Sequence, residues 1–154
     1  MKKRMDAANG KGIEVGVLRG QHQWLAAIHE YGLDIEVTPA MRAFLHREGL
    51  HLKKTTTHIH IPERAFLRGG YDKNIESVLR KVRLMMADVS SGKMSANALF
   101  KGAGLELSSK IKDYAVELDS PPNHPFTQDQ KGSSNPLVGT TGKMIEGITW
   151  RKAK

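Results

Sequence analysis

The chain has 154 residues, and its 24 lysines and arginines outnumber 16 acidic residues to give a net charge of +8. This length suits one domain with its own core, and the charge favours association with polyanions without indicating a fold. Cysteine is absent, which excludes disulfide scaffolds, thiol catalysis and cysteine-ligated zinc. The basic N-terminus has no apolar signal segment behind it, so we expect a protein that is made and kept in a cytoplasm.

The beginning of the chain predicts a strand followed by a short helix. Residues 1–12 are basic and lack periodicity, so we expect a flexible arm ahead of a single domain that spans residues 13–154. Residues 13–18 alternate in hydropathy and predict a strand. Apolar residues then recur at helical spacing and predict a helix that ends at Gly32. These residues are Trp24, Leu25 and Ile28.

A second short helix and a second strand are predicted next. The segment 34–50 is interpreted as a turn into a short helix, in which Thr38 is the N-cap, Pro39 fits the first helical position and Gly49 fits the exit. Its apolar face consists of Met41, Phe44 and Leu45. Residues 55–61 (TTTHIHI) alternate between two faces and predict a β-strand. Pro62 ends this strand, because proline cannot donate the next ladder hydrogen bond.

Two long amphipathic helices are predicted in the middle of the chain. The segment 61–70 (IPERAFLRGG) is interpreted as a loop, and Asp72 as the N-cap of the first helix, which runs to Val89. The residues SSGK separate it from the second helix. The two apolar stripes consist of Ile75, Val78, Leu79, Val82, Met86 and Val89, and of Phe100, Ala103, Leu107, Ile111, Tyr114 and Leu118. We expect the two helices to pack as a pair against a small sheet.

The last part of the chain predicts a long loop and a final strand. Residues 119–142 hold four of the six prolines and show little periodicity, and loops of this length usually carry function or are disordered. The strand that follows has Ile148 and Trp150 on one face. The sequence as a whole predicts an α+β fold, in which a small, mostly antiparallel sheet packs against two long helices.

Candidate chemical sites are few. His58 and His60 lie on one strand face with a spacing that can chelate a metal, but no third ligand is near in sequence, which favours two solvated strand positions. The segment HEYG lacks the second histidine of a zinc-peptidase helix, and GTTGKM lacks both the first glycine and the hydroxyl of a P-loop. We therefore expect no enzymatic activity, no metal and no cofactor.

One helix face concentrates basic residues. On the first long helix the outer positions are cationic, and they are Lys73, Arg80, Lys81 and Arg83. Such a face is usually solvated, and against a duplex it would contact phosphates without reading bases.

Four short blocks in a fixed order carry a resemblance to a known family. They are LAAIHEYG (25–32), IPERAFLR (61–68), PPNHPFTQDQKG (121–132) and NPLVGTTGKMIEGITW (135–150). In this order and spacing they resemble the tail-completion or neck proteins of long-tailed bacteriophages, which join the finished tail to the head connector. The residues that match the family pattern are Glu30, Gly32, Ile61, Pro62, Arg64, Phe66, Pro122, Asn123, Thr127, Lys131, Gly132, Pro136, Leu137, Thr141 and Gly142. The chain departs from it with one extra residue after Leu137.

The resemblance implies a tail-terminator-like fold and a homo-oligomeric ring of six subunits in the virion, at the head-proximal end of the tail. Its partners would be neighbouring neck, tail-terminator or tail-tube proteins, with genomic DNA in the lumen, and no catalysis is implied. A ring requires two different surfaces on each subunit, so we expect candidate interface residues in these blocks. They are Arg64, Phe66, Leu67, Arg68, Pro122, Asn123, Thr127, Lys131, Pro136, Leu137 and Thr141.

Two kinds of alternative remain, one for the position of Phe66 and one for the function of the protein. In a ring, Phe66 and Leu67 would fill a pocket of the neighbour while Arg64 and Arg68 pair with its carboxylates. Alternatively, Phe66 packs beneath its own helix, as aromatic residues often do. The whole protein could instead be a small basic nucleic-acid-binding protein, or a hydrolase with an unrecognised site.

Overall fold

The computed structural model describes residues 11–139 and 141–153, so most of the predicted arm at 1–12 lies outside the described residues. Within them the fold is α+β, as predicted, with four strands and six helices. In chain order these are β1 (Ile13–Val17), α1 (His22–Tyr31), β2 (Leu33–Glu36), α2 (Pro39–Arg47), β3 (His58–Ile61), α3 (Phe66–Ser91), α4 (Ala96–Glu117), α5 (Pro125–Lys131), α6 (Lys143–Glu146) and β4 (Ile148–Lys152).

The strands form two separate two-stranded sheets instead of the one small sheet that was predicted. β1 pairs antiparallel with β4, so that Val15 lies opposite Trp150 and the beginning and end of the described chain are joined. β2 pairs antiparallel with β3, with Ile35 opposite Ile59. The sequence analysis missed β2, because its four residues were interpreted as part of the turn into α2.

Helices α3 and α4 form the predicted helical pair, and the sheet β1–β4 packs against α4. Gly92 ends α3 in the left-handed conformation, and the hydroxyl of Ser95 caps α4 by accepting a hydrogen bond from the Ala98 N–H at 3.2 Å. Trp150 of β4 packs directly on Gly104 of α4. The main core is formed by Ala26, Phe66, Val78, Leu107, Ile111, Ala115, Leu137, Met144, Ile145 and Ile148.

The beginning of α3 differs from its prediction. The helix starts at Phe66, six residues before the predicted N-cap at Asp72, and runs through Gly69 and Gly70. Glycine usually weakens a helix interior, but a Cβ added at Gly70 would lie 3.2 Å from the Cα of Ile111. The glycine pair therefore permits close approach of α3 to α4. Of the segment 61–70 that was interpreted as a loop, residues 66–70 are the first turn of the helix.

Residues 33–61 form a projection that comprises β2, α2 and β3. As predicted, the Thr38 hydroxyl caps α2, accepting from the Met41 N–H at 3.1 Å, and Pro39 occupies the first helical turn. No residue of the projection is fully buried. Its segments are joined by hydrogen bonds within the projection, as where the Arg42 guanidinium donates to the backbone carbonyl of Thr56 at 2.6 Å.

The predicted long loop at 119–142 is partly ordered by the core. It contains the short helix α5, and Pro136 and Leu137 are buried. The Asn135 carboxamide oxygen accepts from the backbone N–H groups of Leu137 and Val138 at 2.9 and 2.7 Å, which fixes the turn that carries them inward.

No helix in the described residues combines the length and the apolar character that crossing a membrane requires.

Candidate functional site

A buried carboxylate joins α1 to the beginning of α3. Glu30 is 2% exposed, and it accepts hydrogen bonds from the N–H groups of Leu67 and Arg68 at 2.8 and 3.0 Å. Ala65, at the N-cap position of α3, has no side chain that can cap it. Glu30 therefore supplies, from a distant helix, the acceptor and the negative charge that a helix N-terminus favours.

Arg68 completes this junction. Its Nε donates to Glu30 at 2.9 Å, and its Nη2 donates at 2.7 Å to both the Glu30 carbonyl and the Glu63 carboxylate. The guanidinium also lies over the Tyr31 ring, 4.9 Å from its centroid. Hydrogen bonding to Glu30 raises the pKa of Arg68, so its guanidinium stays charged.

Arg64 is a second buried anchor, and it is 3% exposed. Its guanidinium donates to the carbonyls of Pro121 and Pro122 at 2.7 and 3.0 Å and to Oδ1 of Asn123 at 3.1 Å. Its Nη1 lies 3.4 Å from Nδ1 of His29. All of these acceptors are neutral, and burial lowers the pKa of Arg64.

Two further side chains close the loop around Arg64. The Asn123 carboxamide donates to the Pro136 carbonyl at 3.3 Å, and Nζ of Lys131 donates to the Asn135 and Pro136 carbonyls at 2.9 and 3.3 Å. The four sequence blocks that are far apart along the chain therefore meet at one polar junction. The junction consists of His29, Glu30, Glu63, Arg64, Arg68, Asn123 and Lys131.

Four of the predicted interface residues are parts of the interior. Phe66 is 0% exposed and packs in the core, and Pro136 and Leu137 are also buried. Arg64 uses its donors on the chain's own loop. These four residues are not available to a neighbouring subunit, which corrects their assignment and confirms that Phe66 packs beneath its own helix. For Pro122, Thr127 and Thr141 the interface role stays a prediction.

Leu67 and Arg68 instead border an apolar groove beside the sheet. The groove has a volume of about 420 Å³ and lies between β1, the beginning of α3 and the middle of α4. Its lining residues are Ile13, Val15, Leu67, Arg68, Tyr71, Asp72, Leu107 and Ile111. This volume matches small-ligand pockets of about 300–1,000 Å³, but the only charged groups in the lining are one guanidinium and one carboxylate.

The projection also exposes an apolar side chain to solvent. Phe44 on the outer side of α2 is 51% exposed, whereas its neighbour Leu45 is half-buried in the projection. Arg47 lies over the Phe44 ring, 5.4 Å from its centroid. The exposure of Phe44 corrects the prediction that it lies on the apolar face of α2.

No protein-family model, curated protein or solved structure matches the chain. The chemistry of the junction and of the groove is therefore interpreted from the residues themselves. The junction holds its groups in mutual hydrogen bonds, and no buried polar side-chain atom of the described residues lacks a partner. This arrangement stabilises and orients segments of the chain.

The histidine pair of β3 and the basic face of α3 were the other candidate sites. His60 lies 2.7 Å from Asp34 across the β2–β3 pair, and no group of three potential ligands occurs in the described ranges. On the basic face, Lys73 and Lys81 form ion pairs with Glu117 and Glu106 of α4 at 3.2 and 2.6 Å. Arg80 and Arg83 form no ion pair within the described part of the chain.

Proposed function

We propose that this chain is a structural virion protein of the phage head–tail junction, a ring subunit of the tail-completion or tail-terminator type that caps the tail and joins it to the head connector. It acts by assembly and not by catalysis. The four blocks in order along the sequence support this proposal, because they resemble the neck-protein family over nearly the whole chain from Val15 onward.

The observation that carries the proposal is the projection at 33–61. It extends from the body of the protein with no fully buried residue, and it exposes an aromatic side chain at Phe44. A segment of this size has little apolar burial of its own to offset the entropy of ordering it. Burial of α2 against another molecule would supply the missing apolar contact.

The projection and the groove are suited to be the two different surfaces of a ring subunit. A heterologous contact places one surface of each subunit against another surface of the next, and it closes into a ring when the rotation permits. The groove is an apolar recess of about 420 Å³, and Phe44 is an exposed aromatic anchor of the kind that dominates interface energetics. We assign Phe44 of one copy to the groove of the next.

The polar junction would set the direction of the projection. Glu30 lies two residues before Gly32, where the projection begins, and Arg64 and Arg68 follow soon after its end at Ile61. Gly32 has a φ of 73°, and a Cβ added there would lie 2.9 Å from the carbonyl oxygen of Ile61. The segments that flank the projection on both sides are therefore held by charge-assisted hydrogen bonds.

The assembly experiment uses a matched pair of variants. Phe44 and Leu105 are both 51% exposed, but Leu105 lies on α4, outside the groove lining. Phe44→Ser should shift the wild-type oligomer toward monomer in light scattering and remove rings from negative-stain images, whereas Leu105→Ser should leave both unchanged. A wild-type protein that stays monomeric at every concentration would contradict the proposal.

A second candidate function is binding of nucleic acid by the monomer, and the unpaired Arg80 and Arg83 on a chain of net charge +8 favour it. A duplex of arbitrary sequence, titrated at increasing salt, separates the two functions. Phosphate binding by several cations gives an affinity that falls steeply with salt. Tight, salt-dependent binding by a monomer that forms no ring would favour the second function.

A further inference from the structure

A second, smaller recess lies on the other side of the polar junction. It has a volume of about 140 Å³ and lies between α1, the end of α5 and the turn that precedes α6. The polar groups in its lining are His22, His29, Lys131, Thr141 and Lys143, and no carboxylate is among the lining residues. This combination of donors without an acidic partner sets the recess apart from the apolar groove.

The positive charge at this recess has no counter-ion in the described residues. Burial, and then the nearby Arg64 guanidinium, lower the pKa of Lys131. Neither forms an ion pair with a carboxylate of the described chain. The Lys131 ammonium donates to two carbonyls, which leaves one of its three N–H groups for another acceptor.

His29 is a neutral hydrogen-bond donor at the recess. Burial first, and then Arg64 and Lys131, lower its pKa to about 4, so the imidazole is neutral at pH 7. The guanidinium of Arg64 is a donor only, and it lies 3.4 Å from Nδ1 of His29. Nδ1 must therefore be the acceptor, which places the proton of this histidine on Nε2.

We propose that this recess binds one small oxyanion of the phosphate class, held by the ammonium groups of Lys131 and Lys143 and by donors from His29 and Thr141. The volume of about 140 Å³ equals that of four or five waters at about 30 Å³ each, so it holds one inorganic phosphate and excludes a nucleoside. A bound anion would neutralise charge that the protein itself leaves uncompensated.

The site differs from a P-loop although Gly142 and Lys143 border it. A P-loop holds phosphate with backbone N–H groups between a strand and a long helix, whereas α6 has only four residues. The donors here are side chains from three separate parts of the chain. The turn before α6 contributes Thr141 and Lys143 to this different kind of site.

Titration of the full-length protein with inorganic phosphate at pH 7.5, at an ionic strength held constant with chloride, tests this proposal. Calorimetry should show saturable binding of one phosphate per chain, and the Nε2 resonance of His29 should shift with the same saturation. Lys143→Gln should weaken binding at least about tenfold, because one charge-assisted hydrogen bond is lost. Lys93→Gln, an exposed lysine in the turn between α3 and α4, serves as the matched control and should bind as the wild type does.

Lys143 is exposed, so its replacement should leave the fold intact, and circular dichroism verifies this. Absence of saturable binding, or equal weakening by Lys93→Gln, would overturn the proposal. Acetate provides the comparison with a carboxylate donated by a neighbouring protein. Phosphate should bind at least about tenfold more tightly than acetate, and equal affinity would contradict a phosphate-class site.

Discussion

Glu30 accepts hydrogen bonds from both the backbone N–H and the guanidinium of Arg68, at 3.0 and 2.9 Å. One buried carboxylate thus caps a 26-residue helix and pairs with the arginine in the first turn of that helix. The same arginine reaches Glu63, just beyond the end of β3. These hydrogen bonds consequently join the end of α1, the base of the projection and the beginning of α3.

Removal of the Glu30 carboxylate should be severely destabilising. Glu30→Ala leaves two helix N–H groups without their buried acceptor, and we expect a loss of about 2–5 kcal/mol in the free energy of unfolding. The Arg68 side chain is 51% exposed, so water can solvate the donors that lose Glu30. Urea unfolding followed by circular dichroism measures it. Glu63→Ala removes an exposed partner of the same arginine, and it should cost about 1 kcal/mol or less. Equal losses for the two variants would show that Glu30 does not have the special role assigned to it.

Truncation of Phe66 should unfold or strongly destabilise the monomer. The ring is 0% exposed, and a buried Phe→Ala change costs about 3–5 kcal/mol through lost burial and a cavity. Thermal unfolding of Phe66→Ala checks this. A variant that melts as the wild type does but fails to assemble would restore the discarded hypothesis that Phe66 contacts a neighbour.

Acidification should destabilise the fold partly through His29. Its pKa in the folded protein is about 4, below the ordinary value of 6.5, so its contribution is fully present above pH 6.5 and is lost as the pH falls toward 4. The charged groups that face it are Arg64 and Lys131. Because solvent screens the half-buried ring, we expect protonation of His29 to lower the free energy of unfolding by about 1–2 kcal/mol.

The comparison is the difference in unfolding free energy between pH 7.5 and pH 5 for the wild type and His29→Gln. The variant should lose less stability than the wild type over this interval. His58→Gln, at an exposed position of the projection, is the control and should keep the wild-type difference. Identical pH dependence in wild type and His29→Gln would contradict the assignment.

Two glycines of α4 should differ in their response to substitution by alanine. A Cβ at Gly104 would overlap the Trp150 indole, whereas at Gly102 it would meet only the flexible Met85 side chain, 2.9 Å from its sulfur. Overpacking at Gly104→Ala should cost about 1–3 kcal/mol. At Gly102→Ala the helix propensity gain of about 1 kcal/mol should largely offset the displacement of Met85. Melting temperatures of the two variants test the contrast, and a Gly104→Ala protein as stable as Gly102→Ala would contradict the packing of Trp150.

The sequence predicted those parts of the fold that local chemistry decides. Thr38 and Pro39 mark the beginning of α2, and Gly92 ends α3, because caps and breakers act within a few residues. The beginning of α3 could not be predicted in this way. Its cap comes from Glu30, 37 residues earlier in the chain, and its glycine pair signals contact with α4 rather than a loop. Non-local partners of this kind leave no periodic signal in the sequence.

The candidate site was predicted only in part. The block IPERAFLR was identified as important, but the sequence does not show which of its side chains face inward. Arg64 and Phe66 are interior, whereas Leu67 and Arg68 border the groove. The helical pattern placed Phe44 on the apolar face of α2. In the structure the projection has no buried core for that face to pack against, so Phe44 is exposed. The sequence alone does not show this lack of a core.

The contact between Phe44 of one copy and Tyr71 in the groove of another tests the central claim most directly. The chain has no cysteine, so Phe44→Cys and Tyr71→Cys introduce unique thiols. After oxidation, a mixture of the two single variants should form disulfide-linked heterodimers, and the double variant should form covalently closed rings whose mass gives the subunit number. If the mixture forms no more heterodimer than a mixture of Leu105→Cys with Tyr71→Cys, the projection does not occupy the groove and the proposed assembly is contradicted.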